Sequence, residues 1–340
     1  MGGVAYLSGA SNLTVKDGQF TNNAAGKSGG AFYHSGTGTI LISGSTFNGN
    51  SAGAEYGGAI YGSGTTTWNL LGSEFKNNTS SKSGGVIYYN GTGTVSIADT
   101  NFEGNNAVAE HGGAIHGDGN AVWNITKSTF KSNTAMKEAG AIRFVKGTWD
   151  ISETLFKENS AESNGGAIYS NTGSLNLSQC EFNGNSTSTT GVGGGAIYVT
   201  TNSVLSVDAS KFISNSAPNK NGGAINIAST AKGLHKINNT HFSGNDAIEG
   251  GAMFLAAGGT LYINGCSFSG NVPSKADTGG VLKTNTTTFM NNCSFCDNPT
   301  GAWQADLILC GTATVLNTTV IEKSSSTSST HTNGIRVYGT

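Results

Sequence analysis

The side chains in this sequence that could do chemistry rarely stand together. The 20 acidic residues are dispersed and include no Asp-Asp pair. A polysaccharide lyase needs carboxylates converging on Ca²⁺ beside a basic group, and a hydrolase needs a matched acid and base. Asp118, in Gly-Asp-Gly-Asn, has too few neighbouring oxygen ligands for a calcium loop. Cys293-Ser-Phe-Cys296 is a lone C-x-x-C, with no second thiol pair or His pair to complete a tetrahedral zinc site. No catalytic residue, metal site or cofactor is read from these residues. The net charge of −2, with only two Arg (Arg143 and Arg336) among 18 basic residues, leaves no stripe to neutralise phosphates, so nucleic acid is not expected as a partner. No apolar run is long enough to span a bilayer, so no transmembrane segment is expected.

What does recur is structural. A Phe followed three residues later by Asn appears eleven times: Phe20 and Asn23, Phe47 and Asn50, Phe75 and Asn78, Phe102 and Asn105, Phe130 and Asn133, Phe156 and Asn159, Phe182 and Asn185, Phe212 and Asn215, Phe242 and Asn245, Phe268 and Asn271, Phe295 and Asn298. The steps run from 26 to 30 residues. Between them recurs a Gly-Gly-Ala-Ile-like run, as in Gly57-Gly58-Ala59-Ile60-Tyr61. Glycine at 52 of 340 residues is about twice its ordinary share of ~7%. With Gly-Gly and Asn in every unit and β-branched residues between them, a helical solenoid is excluded.

Counting back from each Phe, the position five before is always apolar, from Val15 and Ile42 to Ile263 and Met290. The position seven before is usually large, including Trp68, Trp123 and Trp149, and the position two before is small. That alternation gives short strands burying every second residue. Three such strands per coil of about 27 residues, stacked about 4.8 Å apart, make a parallel β-helix. The expectation is an all-β, right-handed solenoid of eleven or twelve coils, in one domain over 1–340. Its coils are regular over 2–298 and degenerate over 299–340. The right hand follows the general rule for parallel crossovers.

The joint Gly-Gly-Ala-Ile and Phe-x-x-Asn motif resembles the repeat of the chlamydial polymorphic outer-membrane proteins and of adhesin-like surface proteins in other microbes. The resemblance implies a β-helical passenger exposed at the cell surface or outer membrane. It implies adhesion to a host or neighbouring-cell receptor, glycan or protein, without catalysis. The same pectin-lyase-like fold also hosts polysaccharide lyases and hydrolases, which makes such an enzyme the first alternative. The second is a structural fibre joined head to tail through open sheet edges. The opening residues, Met1 to Tyr6, show no charged or apolar leader. Either the protein is cytosolic or the sequence is an excised piece, and because it starts on a strand, Gly2 to Tyr6, without a polar cap, the N-terminal face is expected to be a cut.

Four features could carry binding. The residue after the Gly-Gly-Ala-Ile run reads Tyr6, Tyr33, Tyr61, Tyr88, His116, Arg143, Tyr169, Tyr198, Asn226, Phe254 and Lys283, a file expected to point outward. Its six Tyr are the binding candidates, as a track for glycan rings or a protein; the competing reading is a self-stacking ladder. Two residues before each Gly-Gly, Lys27, Glu55, Lys82, Glu110 and Lys137 alternate in sign and would specify register. His235, Lys236 and His241 lie beside an insertion around 229–233, and 186–193 form a second, both expected as loops. Cys180, Cys266 and Cys293 take the small inward slot as buried thiols; strand spacing makes a Cys266–Cys293 bridge between adjacent coils conceivable, although in-register β-carbons at about 4.8 Å stand farther apart than the usual ~3.8 Å.

Overall fold

A computed structural model describes residues 2–188, 190–275, 280–299, 305–321 and 334–337, all in strands, turns and irregular segments without a helix. The strands form three parallel sheets of 23, 12 and 10 strands that wind as a β-solenoid of about 12 turns. Register pairs each residue with its counterpart one coil away, as Phe75 with Phe102 and Ile87 with Ile115.

Each coil carries one more strand than its alternation reveals. The run after Gly-Gly and the strand seven to four residues before Phe share the large sheet. Phe lies in the 12-stranded sheet, and a short strand, in most coils of two residues as in Thr79–Ser80, follows each Asn from Asn23 to Asn271 to build the third. Two residues carry no readable period, which is why this strand is absent from the sequence pattern. In two coils the first pair fuses into single strands, Phe32–Ser43 and Ile60–Leu71. Gly36, Gly38 and Gly64, at φ of 151°, 124° and 90°, turn that corner without breaking the ladder.

The core is a set of files running along the rod. Phe20 to Phe295 stack ring on ring with centroids 4.5–5.0 Å apart. That spacing is the hydrogen-bond spacing of the sheet, so offset stacking is maintained at every step. Trp68, Trp123 and Trp149 are fully buried beside them. The Asn file is buried almost throughout and hydrogen-bonded to match. Asn50 donates its backbone N–H (3.0 Å) and Nδ2 (2.9 Å) to Oδ1 of Asn78, and Nδ2 also donates to the Phe20 carbonyl (2.9 Å). Both sides of the amide are satisfied, as a buried polar group requires. In the small slot, the Ser45 N–H donates to Ser73 Oγ (3.1 Å), whose hydroxyl donates to the Leu71 carbonyl (3.0 Å).

The Gly-Gly pair has two distinct reasons. Gly57 sits at φ +66°, where a side chain is strained. A Cβ on Gly58 would collide with the Gly85 carbonyl oxygen of the next coil. One coil departs: Ala139 occupies the first slot at φ +62°.

Cys180, Cys266 and Cys293 are buried and unbridged in the small slot. Burial pushes the Cys180 thiol up to about 11. In the alternating-charge file, Lys27 approaches Glu55 at 4.0 Å, but Lys82 lies over the Tyr56 ring instead of beside a carboxylate. Glu55 and Glu110 accept from Ser28 and Ser83, so hydroxyls take up part of the pairing expected of charges.

Candidate functional site

Two files of the large sheet face away from the core, and their surroundings differ. The first is the Tyr file. Tyr6 is 50% exposed and Tyr33, Tyr61 and Tyr169 are half-buried, but Tyr88 and Tyr198 are only 7% exposed. Asn226, Phe254 and Lys283 are buried as well. The expectation of an outward slot is thus corrected for its middle and far end. The segment preceding Gly-Gly folds over these positions: Tyr56 stacks on Tyr88 at 4.4 Å, and Asn226 Nδ2 donates to the Val192 carbonyl.

The ring faces pack on one another, with Tyr6–Tyr33, Tyr33–Tyr61 and Tyr61–Tyr88 centroids 5.1, 4.5 and 5.6 Å apart. Tyr169 stacks on Tyr198 at 5.4 Å. The file therefore offers a ligand ring edges and hydroxyls rather than faces. Burial pushes the Tyr61, Tyr88, Tyr169 and Tyr198 phenols upward, so they stay neutral.

Where the Tyr run is interrupted, a polar cluster replaces it. Arg143 Nε donates to Glu138 Oε2 (2.9 Å), and Nη1 lies 3.2 Å from His116 Nε2. The guanidinium sits 5.3 Å from the centre of the Tyr169 ring. His111 Nδ1 lies 3.3 Å from the same carboxylate oxygen, and Tyr88 donates to Asp118 Oδ2 at 2.8 Å. Desolvation first, and the Arg143 charge second, take His111 down to about 3 and His116 well below its ordinary value. Both imidazoles are therefore neutral at pH 7, and His116 Nε2 accepts from Arg143. The file itself places His116 beside Arg143, but His111 and Glu138, which precede Gly-Gly and fold over it, are not brought to it by any sequence period.

The second file pair belongs to the next strand, six and four residues before each Phe, and no segment among the described residues folds over it. Three hollows open along it. One of about 230 Å³ runs past Leu41, Asn69, Leu71, Ser96 and Ala98 to Asn124 and Thr126. A second, about 460 Å³, continues from Asn124 and Thr126 through Asp150, Ser152, Asn176 and Ser178 to Ser206 and Asp208. The third, about 450 Å³, begins one coil on, since Ser206 pairs with Lys236 in register, and passes Tyr262, Asn264, Phe289 and Asn291 to Leu316. Together they form a trough that crosses successive coils.

Its lining changes along the rod. Leu41, Leu71 and Ala98 interleave with Asn69 and Ser96 in the first part, amides, hydroxyls and two carboxylates line the middle, and Tyr262 stacked on Phe289 (4.6 Å, 20°) the last. In the middle, Asn176 Nδ2 donates to Asp150 Oδ1 at 2.7 Å. The inward positions five and seven before Phe drew attention in the sequence, and their outward neighbours were passed over. The signal available was the aromatic pair Tyr262 and Phe289 at a position held by polar residues in most other coils.

The insertion residues also resolve differently from expectation. His235 is fully buried in the strand Leu234–Asn238, where Nδ1 accepts from the Leu205 N–H (3.2 Å) and Nε2 lies 3.1 Å from the Ala231 carbonyl. It fills a core slot because it stands seven before Phe242, while Lys236 points into the trough and His241 Nδ1 lies 2.8 Å from Ser267 Oγ. In the other insertion, Ser186–Thr187 is a strand and Thr189 lies outside the described residues.

Residues 44–63, 72–90, 153–171 and 179–200 match the Chlamydia polymorphic membrane protein (Chlamydia_PMP) repeat. The chain carries Pmp-type repeats. No curated protein and no solved structure matches it. Each matched Pmp segment contains a Phe, its Asn, the short third-sheet strand and the Gly-Gly run. The Tyr file falls inside these segments, at Tyr61, Tyr88, Tyr169 and Tyr198. The trough strand falls outside all four. The matched segments thus hold the Phe, Asn and Tyr files, and the trough strand, which also carries core residues such as Trp68 and Leu70, lies between them.

Proposed function

We propose that the protein is a non-catalytic binding rod displayed at a cell surface, an adhesin whose trough receives an extended ligand on a host or neighbouring cell. The surface assignment is supported by the match to a membrane-protein repeat. The trough carries the binding assignment, because it is uncovered, continuous over successive coils and built from residues outside the repeat frame. An extended glycan or polypeptide segment fits such a shape better than a compact small molecule does. Catalysis is no part of this reading, since the Glu138 carboxylate beside His111 is already ion-paired to Arg143.

The test is attachment of beads coated with the folded chain to a panel of host and microbial cells. Asn176→Trp, which fills the middle of the trough from an exposed strand position, is expected to abolish attachment with the β-sheet spectrum unchanged. Undiminished attachment by that variant would refute the trough. The Tyr file supplies a second reading, favoured by the exposure of Tyr6. Under it, a Tyr33→Ser/Tyr61→Ser variant loses attachment while Asn176→Trp retains it.

A further inference from the structure

The last hollow of the trough differs from the other two in combining an aromatic ring stack, an amide file and a cation. Lys236 is exposed and pairs in register with Tyr262, which pairs with Phe289. Tyr262 packs one face on Phe289, which leaves its other face towards the Lys236 side of the file. Lys236 makes no ion pair with any described residue. The nearest carboxylate along the trough, Asp208, is the register partner of Asn238 and accepts instead from Asn239 Nδ2 at 3.0 Å. Beside the rings, Asn264 and Asn291 stand in register, with Asn291 Nδ2 donating to Asn264 Oδ1 at 3.3 Å.

We propose that this hollow, centred on Lys236, Tyr262 and Asn264, is a subsite for an acidic sugar, a uronate-type unit within a longer glycan. The deduction rests on the trough reading and narrows its ligand. A pyranose has an apolar C–H face, a rim of hydroxyls and, in a uronate, one carboxylate. The free side of the Tyr262 ring matches the first, the Asn amides, which both donate and accept, match the second, and the unpartnered ammonium matches the third. A hollow of about 450 Å³ is within the range of small-ligand sites. The amide file disfavours an apolar helix or an acyl chain, which would cover those amides without meeting the donor and acceptor positions that their bonds to one another leave open.

The experiment is calorimetric titration of the whole chain with a glucuronate-containing tetrasaccharide and with its carboxyl-reduced, neutral counterpart. Wild type is expected to bind the acidic form about fivefold more tightly, with a preference that shrinks as salt is added. Lys236→Gln removes the preference and leaves the neutral form's affinity unchanged. Tyr262→Ser weakens both forms about tenfold. Both positions are exposed, so an unchanged β-sheet spectrum confirms the fold. Equal affinity of wild type for the two forms, an unaltered preference in Lys236→Gln, or no binding of either form would overturn the subsite. Attachment blocked by Asn176→Trp would still stand in each of those cases, which separates failure of the subsite from failure of the trough.

Discussion

The Tyr file and the Tyr262–Phe289 pair are both stacked aromatics on the outer side of one sheet, yet the first is largely closed off and the second is open. Alternation along a strand assigns both outward. What separates them is the chain just before Gly-Gly, which folds back over the Tyr file and carries Tyr56, His111 and Glu138 onto it. Among the described residues no equivalent segment overlies the trough strand. On a solenoid, then, facing away from the core is one condition for a binding surface and lacking a cover is another.

A series of truncations tests that separation, beginning with the core as a reference. Phe130→Ala should cost about 3–5 kcal/mol, by opening a cavity between two stacked neighbours. Tyr88→Ala should cost about 2–4 kcal/mol, because it removes a covered ring and the hydroxyl held by Asp118. Tyr262→Ala should remain within about 0.5 kcal/mol of wild type. Urea unfolding ranks the three, and a Tyr262 loss as large as that of Tyr88 would collapse the distinction.

Acid should weaken the covered face, as it should the core around the buried His235, whose imidazole burial also pushes down. His111 and His116 have folded-state pKa values below those of the unfolded chain, so the unfolded state binds more protons once pH falls below about 6.5. Their contribution is intact above that pH and declines as pH drops towards 3. Urea midpoints at pH 7 and pH 5 should differ by less in a His111→Gln variant, whereas Lys236→Gln should leave the difference as it is. A small gain in stability is expected at the slot that opens the covered coil. Ala139→Gly relieves a left-handed φ and should raise stability by about 0.5–1 kcal/mol, seen as a higher urea midpoint. No gain there would mean that the backbone already accommodates the methyl group without strain.

Much of the fold was legible because core positions repeat. Phe, Asn, the small slot and Gly-Gly each face the same neighbours in every coil, so one environment is written eleven times. The two-residue strands were illegible, being shorter than the period that would reveal them. The cover over Tyr88 and Tyr198 was illegible for another reason, because a strand pattern states which way a side chain points and nothing about what chain lies above it. The trough shares that limit. Lys236, Tyr262 and Phe289 are 26 and 27 residues apart, and only register brings them side by side.

The Asn file links each coil to its immediate neighbours, as do the ladders of all three sheets. Tension applied along the rod therefore loads these bonds in series, and the terminal coil peels before the next is disturbed. A freed coil of 26 to 30 residues extends by about 90–100 Å. A tethered rod under shear would lengthen in discrete steps of that size, dissipating force while the remaining coils and their stretch of trough stay folded.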